Sequence, residues 1–389
     1  MTLTIKIVLS VQEEKVIKER DNMEKVLLGM SGGVDSSVSA ILLKNEGYDV
    51  SGVTLHLYEG GCCNLSTTMD AKDVCRNIGI PHYTLDYMKE FKDTVINDFI
   101  HEYSVCRTPN PCIECNRFLK FGLMYDKAKA IGIDYVATGH YAKVEYSEKY
   151  GRFVLKKSNN VKKDQSYVLY SIDKDLLPHI KFPLGDFEDK EEIRAIAREN
   201  KLRVASKPDS EEICFIPNGN YKEFLEKNSS LKPKVGDIVN VNGDVLGKHN
   251  GLYNYTIGQR KGLGISYSEP LFVIGFRPLR NQVVVGTEKE LYKKEAYIDD
   301  VNWLLIDDLE EPMKVKVKTR YSTKEADATI SKVSYDEYKA INGKFKENEN
   351  TRNKYIVKIE FDEPQARITP GQSSVFYLDD IVVGGGKII

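Results

Sequence analysis

The chain has few cysteines, seven in 389 residues, and they follow no regular framework spacing. That excludes a small disulfide-stapled secreted domain. In a reducing compartment, close cysteine pairs are more often catalytic or metal-binding than structural. No apolar run is long enough to cross a bilayer, so no membrane partner is expected. The stretch TLTIKIVLSV near the start lacks a small-residue cleavage site, which argues against a secretory signal and for a cytoplasmic protein. Nor is there an excess of charge. Lys+Arg 56 against Asp+Glu 58 gives a net charge of -2, so a nucleic-acid partner would need a local basic patch. Two common nucleotide signatures are also missing. There is no G-x-x-x-x-G-K-[ST] and no G-x-G-x-x-G placed between a strand and a helix.

What is present begins with alternation. From Val26 to about Leu202, short apolar runs (KVLLGM, DVSGVTLHLY, IPHYTLDY, DYVATGHY) alternate with amphipathic stretches (SSVSAILLKNEG, EFKDTVINDFIHEY, NRFLKFGLMYDKAKAIG). Strands alternating with helices predict parallel βαβ units in an open, doubly wound α/β sheet. Near Ile216 the pattern changes to short alternating runs broken by NG, GD and GLG, which predicts antiparallel β-structure with tight turns. The division expected is an extension at 1–22, ahead of a second start at Met23; a nucleotide-binding domain at 23–216; a small β-rich domain at 217–285; and a β-barrel at 286–389. KFKENENTRNKY, 344–355, is expected to be a hairpin tip.

GMSGGVDSS, residues 29–37, falls between the first strand and the first helix. Ligands of open α/β sheets bind there, beyond the carboxyl ends of the strands. Gly32 and Gly33 permit a tight turn that presents N–H groups. Ser31, Ser36 and Ser37 add hydroxyls, and the helix dipole favours an anion. Asp35 is expected to orient the loop or to help hold Mg2+. SGGVDSS resembles the PP-loop of the ATP pyrophosphatase superfamily. The resemblance implies ATP cleaved between its α and β phosphates and an adenylated substrate.

CIECNRFLKF, ATGHYA, KKDQSYVLY, SKPDSEEICFI, YTIGQRKGLGI and ITPGQSSVFYLDD follow in an order and at spacings that resemble the bacterial tRNA-specific 2-thiouridylase (MnmA) family. That resemblance, from Met23 onward, implies ATP-dependent adenylation of the wobble uridine in a tRNA anticodon loop, followed by sulfur transfer. The sulfur would come from a cysteine desulfurase, a relay protein or free sulfide. It implies an ATP site at Gly29, Met30, Ser31, Gly32, Gly33, Val34, Asp35, Ser36, Leu55 and Gly139. It places Asn110, Pro111, Cys112, His140, Lys163, Asp164, Gln165, Arg320, Tyr321 and Gln372 at tRNA, and makes Cys115 and Cys214 the two working cysteines.

The chain departs from the family pattern at Cys112, where most members carry aspartate. Two chemistries then fit. Cys214 can carry a persulfide that Cys115 resolves through a disulfide, Cys115 being expected just before a helix whose dipole favours thiolate. Alternatively, Cys112, Cys115 and Cys214 can hold a [4Fe–4S] cluster, leaving one iron without a protein ligand. Cys62 and Cys63 are expected near the nucleotide, and Cys75 and Cys106 to be structural. In KVKVKTRY the alternation places Lys314, Lys316, Lys318 and Arg320 on one face, either a phosphate-binding row or a solvated strand face. Two competing readings remain: a PP-loop synthetase that adenylates a small molecule, and a non-catalytic RNA-binding protein that senses ATP or redox state.

Overall fold

The structure is a computed structural model describing residues 23–59, 65–209, 212–216, 218–342 and 353–389. The extension at 1–22, Cys62, Cys63 and most of the expected hairpin tip lie outside the described residues.

The first unit is the expected α/β sheet. Strand β1 (Lys25–Gly29) leads into helix α1 (Val34–Asn45), then β2 (Asp49–His56), α2 (Leu65–Ile78) and β3 (His82–Asp86). A long helical rod, α3, follows in three segments, Met88–Phe91, Lys92–Ile96 and Asn97–Ser104, the middle one wound as π-helix. Rod α4 is also built in three: Pro111–Glu114, a π-type stretch Cys115–Leu123, and Met124–Ala130. Then come β4 (Tyr135–Ala137), β5 (Ala142–Ser147), β6 (Arg152–Lys157), β7 (Ile180–Lys181) and α5 (Lys190–Glu199). The sheet is parallel with order β3-β2-β1-β4-β7. The apolar run that made DYVATGHY a strand yields only three strand residues, because the chain must turn at Gly139 to pass the loop after β1. A β-carbon there would lie 2.8 Å from Ser36 N.

Helix α6 (Tyr221–Asn228) precedes a small sheet of β8 (Val235–Val239), β9 (Val245–Asn250), β10 (Phe272–Arg277) and β11 (Gln282–Gly286), ordered β10-β11-β8-β9. The NG turn between β8 and β9 forms as expected, with Gly243 at φ +97°. The sheet is not purely antiparallel, because β11 returns to lie parallel to β8. The last unit contains β12 (Tyr292–Trp303), β13 (Met313–Lys318), β14 (Ala326–Val333), β15 (Ile356–Ala366), β16 (Ser373–Leu378) and β17 (Ile381–Ile388). β12 pairs with both β15 and β17, which closes a six-stranded barrel.

One relation crosses the expected division. The β5–β6 hairpin leaves the nucleotide-binding unit and pairs with β17 of the barrel, Lys156 opposite Ile381. Tyr167 donates to Ser373 O at 2.8 Å, and Asn302 donates to the carbonyls of Tyr170 and Ile172, each at 2.7 Å. Val375, Tyr377 and Val382 of the barrel lie in the same apolar cluster as Leu27 and Phe121 of the first unit. The glycines of β17 make that contact close. At Gly385 the Tyr170 ring stands 2.9 Å from where a β-carbon would be.

Candidate active site

The loop after β1 folds as its glycines require. Gly32 sits at φ +68°, and a β-carbon there would lie 2.6 Å from Thr67 O. Ser37 Oγ donates to Gly33 O at 2.7 Å, tying the loop to the first turn of α1. Ser31 N donates to Ser36 Oγ at 3.3 Å, so the two serines turn inward together. The first-turn N–H groups of α1 have no partner within the helix and point toward a cavity of ≈ 240 Å³. Gly29, Val53, Leu55, Leu57 and Met124 give that cavity an apolar side. Ser31, Asp35, Ser36, Gly139 and Gln165 give it a polar mouth. An apolar slot ending in unpartnered N–H groups suits an adenine with a phosphate chain, so the residues present fit ATP.

Asp35 is more constrained than expected. Its Oδ1 accepts from Tyr141 OH at 2.8 Å, and both carboxylate oxygens accept from Lys190 Nζ at 2.7 Å. Lys190 also pairs with Asp209 at 2.9 Å, and Asp209 pairs with Lys163 at 2.9 Å. Burial opposes ionisation of Asp209, but the hydrogen bonds and charges of Lys163 and Lys190 prevail and bring its pKa down to about 2. On the other side of the loop, Lys207 donates to Gly32 O at 3.0 Å and to Asp70 at 2.9 Å. With both oxygens engaged by Lys190, Asp35 as placed orients the loop, the first of its two expected roles.

Of the residues expected at tRNA, several have internal work. Asn110 caps α4, its side chain accepting from Cys112 N at 3.2 Å, and Pro111 is the buried first residue of that helix. Asp164 is buried and anchors a turn through Ser158 N, Ser166 N and Ser166 Oγ; burial raises its pKa. Gln165 lines the cavity, its Oε1 accepting from Tyr141 N at 2.9 Å. His140 also lines it, with Nδ1 2.7 Å from Thr138 Oγ1. Burial first, then the Lys120 charge, hold the imidazole neutral. Arg320 donates to Ile257 O at 3.0 Å, and Tyr321 is exposed beneath the Lys318 ammonium. Gln372 donates to Thr108 O at 2.7 Å, which places it at the cysteine segment. The row of cations expected on one face of β13 is partly paired. Lys314 pairs with Asp362 and Lys316 with Asp327, each at 2.8 Å, while burial lowers the pKa of Lys318.

The cysteines divide clearly. Helix α4 begins at Pro111, before both of its cysteines, so Cys112 occupies the first turn and Cys115 the second. Cys112 is exposed and Cys115 buried. Cys115 is part of the large apolar cluster beneath the sheet and Cys214 is packed, partly buried, against the same cluster; beside Cys214 in sequence, Phe215 meets Phe91, Phe99 and Phe224 edge to face or tilted. Among the described residues no three His, Cys, Asp or Glu side chains gather as a metal site. Cys112, Cys115 and Cys214 are thus not gathered as a cluster-binding triad in this arrangement. Burial pushes Cys75 up to about 12 and Cys106 up to about 11, in keeping with structural thiols.

Sequence reasoning missed Lys190, while Lys120, Tyr141, Lys207 and Asp209 stood in quoted motifs (CIECNRFLKF, ATGHYA and SKPDS) without a role. Lys190 carries no signal of its own, since it opens α5 inside an ordinary capping box.

Three family descriptions match in succession: "tRNA methyl transferase HUP domain" over residues 24–218, "tRNA methyl transferase PRC-barrel domain" over 222–287, and "Aminomethyltransferase beta-barrel domain" over 293–388. A tRNA-specific 2-thiouridylase MnmA of Clostridioides difficile is 49% identical over 373 residues, covering 94% of this chain and 98% of that protein. One from Acetivibrio thermocellus is 48% identical over 375 residues, covering 94% and 99%. The loop after β1, the three successive units and this identity along nearly the whole length give one conclusion: the chain belongs to the tRNA-specific 2-thiouridylase family.

Proposed function

We propose that the chain is a cytoplasmic tRNA 2-thiouridine synthase, using ATP to adenylate the wobble uridine and a cysteine pair to deliver sulfur. The observation that carries this is the double role of α4. It walls the cavity with Lys120 and Met124, and it carries Cys115 about 6–8 Å along its axis from Lys120. A base adenylated at the mouth of the cavity is then within reach of a thiol on the same helix.

In this reading, Gly29–Ser36 hold the phosphates and Leu55 and Gly139 the adenine side. The uridine C2 oxygen attacks the α-phosphorus and pyrophosphate leaves toward the N–H groups of α1. The terminal sulfur of a Cys214 persulfide attacks C2 and AMP departs, leaving a Cys214–S–S–C2 link. The Cys115 thiolate then attacks Cys214 Sγ. This forms a Cys115–Cys214 disulfide and releases the 2-thiouridine. The sulfane sulfur takes up two electrons, and an external thiol must reduce the disulfide before the next turnover. Neutral His140 can accept or donate a hydrogen bond at the base without adding charge. The two family cysteines, Cys115 and Cys214, suffice for this route, and exposed Cys112 has no step in it.

The test is pyrophosphate release with and without unmodified tRNA, with thiolated nucleoside measured by mass spectrometry. Release that needs tRNA, together with 2-thiouridine at the wobble position, supports the reading. Release without tRNA would favour a small-molecule synthetase, and tRNA binding without any ATP turnover would favour a sensor.

A further inference from the structure

The first two turns of α4, which carry Cys112 and Cys115, are tied to the barrel as well as to their own unit, where Ser171 Oγ donates to Ile113 O and Asn116 donates to Val168 O. Lys387 of β17 extends off the barrel, 19% exposed, into the gap beneath α3 and α4. Its Nζ lies 3.4 Å from Asp98, 3.6 Å from Glu102 and 3.5 Å from Glu114. One ammonium is thus shared by three carboxylates from two helices. Arg107 supplies the second cation, with Nε 2.8 Å from Glu102 and its guanidinium donating to Ile388 O at 2.9 Å.

Further ties fall on the same stretch. Thr108 N donates to Pro370 O at 2.8 Å, and Gln372 donates to Thr108 O at 2.7 Å. Arg117 pairs with Asp300 at 2.7 Å. Contacts at 107, 108, 114 and 117 therefore bracket the two cysteines, and Asp300, Pro370, Gln372, Lys387 and Ile388 supply them from the barrel side.

A buried ion cluster is a poor source of net stability compared with apolar packing, whereas it fixes one arrangement strongly. That is what this helix needs. The winding changes to π-type at Cys115, so the single turn Pro111–Glu114 is not held in line by the regular hydrogen-bond ladder beyond it. Glu114 is the residue next to Cys115, and its carboxylate is 11% exposed.

We propose that Lys387 is a positioning residue for sulfur transfer, holding the cysteine-bearing turns of α4 in register with the cavity from the barrel side. This rests on the reading that Cys115 takes part in sulfur transfer. The nucleotide cavity is lined from α4 by Lys120 and Met124 and by no residue of the cluster, so adenylation is separable from the effect.

The experiment uses the full-length protein with unmodified tRNA, ATP, and a cysteine desulfurase with L-cysteine as sulfur source. Lys387→Met should lower single-turnover thiolation at saturating tRNA by about 10²-fold, as expected for a reacting group displaced by an ångström. Tyr83→Phe, exposed on β3 and remote from the cluster, serves as the unchanged control. In Lys387→Met, pyrophosphate release and the KM for tRNA should stay within about twofold of wild type, and Lys387→Arg should recover most of the rate. Thiolation kept within about fivefold in Lys387→Met overturns the proposal, as does pyrophosphate release falling in parallel with thiolation. Should Lys387→Met not fold, Glu114→Gln keeps the side-chain shape and must show the same split between the two steps; its absence overturns the proposal. Full thiolation by Cys115→Ser would instead sink the underlying reading, and is distinguishable because Lys387 plays no part in that comparison.

Discussion

Lys190 holds both carboxylate oxygens of Asp35 at 2.7 Å, so the acidic residue of the nucleotide loop is locked to a helix 155 positions away. Lys190→Met leaves Asp35 with only the Tyr141 hydroxyl on that side. Asp209 keeps Lys163 and Arg194, whereas the Asp35 carboxylate loses its cation, and pyrophosphate release should fall by about 10²–10³-fold, the usual loss when a preorganised electrostatic partner is removed. Asp35→Ala and Ser36→Ala should abolish adenylation while leaving tRNA binding nearly intact. Filter binding beside a pyrophosphate assay checks both; full thiolation by Asp35→Ala would reduce the loop to a helix cap.

Gly139→Ala is a purely steric test of the same site. Its new methyl would sit 2.8 Å from Ser36 N and 2.9 Å from the Asp35 carbonyl carbon, so the loop must shift. Nucleotide affinity should drop by at least about tenfold, roughly 1.4 kcal/mol, while the far-UV spectrum stays native. Calorimetry with a non-hydrolysable ATP analogue measures it, and unchanged affinity would mean the loop is not where the nucleotide binds.

The strand row makes a prediction within one element. Lys314 and Lys316 are already neutralised by Asp362 and Asp327, whereas Lys318 and Arg320 stand beside Tyr321. Reversing the first two should leave the salt dependence of tRNA binding unchanged. Replacing Lys318 or Arg320 should flatten its log–log slope by about 0.7–0.9 for each phosphate that is no longer neutralised.

Cys112→Asp restores the commoner family residue at an exposed position. It should remain active without iron, while Cys115→Ser and Cys214→Ser lose thiolation. Iron and acid-labile sulfide in anaerobically purified protein, lost together with activity on Cys112→Asp, would return the cluster chemistry.

A pH effect follows from Asp299, buried beside Arg107. Desolvation outweighs the nearby cations and raises its pKa to about 6. The folded state therefore binds this proton more tightly than the unfolded state. The stabilisation is complete below about pH 4 and is lost as pH rises through 6. Asp299→Asn should be more stable than wild type near neutrality, by on the order of 2–3 kcal/mol at most, with the difference vanishing in acid. Thermal melts at pH 4 and pH 7.5 read it directly, and equal gaps at both would refute it.

Much of the fold was legible because its signals are local. The glycines and serines of 29–37 announce a phosphate loop, and the NG of 242–243 forces its hairpin. Helix α4 was misread at its start because the cap is Asn110 followed by Pro111, a signal masked by the surrounding loop-formers. The β5–β6 hairpin was missed for a different reason. Its strand partner lies more than two hundred residues away, and alternation in KVEYS and FVLKK says nothing about which sheet will receive it. Lys190 and Lys387 were invisible because a lysine's role depends on carboxylates that only the fold brings near.

The ties between the cysteine segment and the barrel also impose an order on biosynthesis. Arg107 waits for the carbonyl of Ile388, 281 positions later. At the usual translation speed of about 5–20 residues per second, that is roughly 15–55 s during which the nucleotide loop can form while the cysteine segment lacks its barrel ties. β17 thus couples the cysteine segment in time to a strand made long after the nucleotide loop.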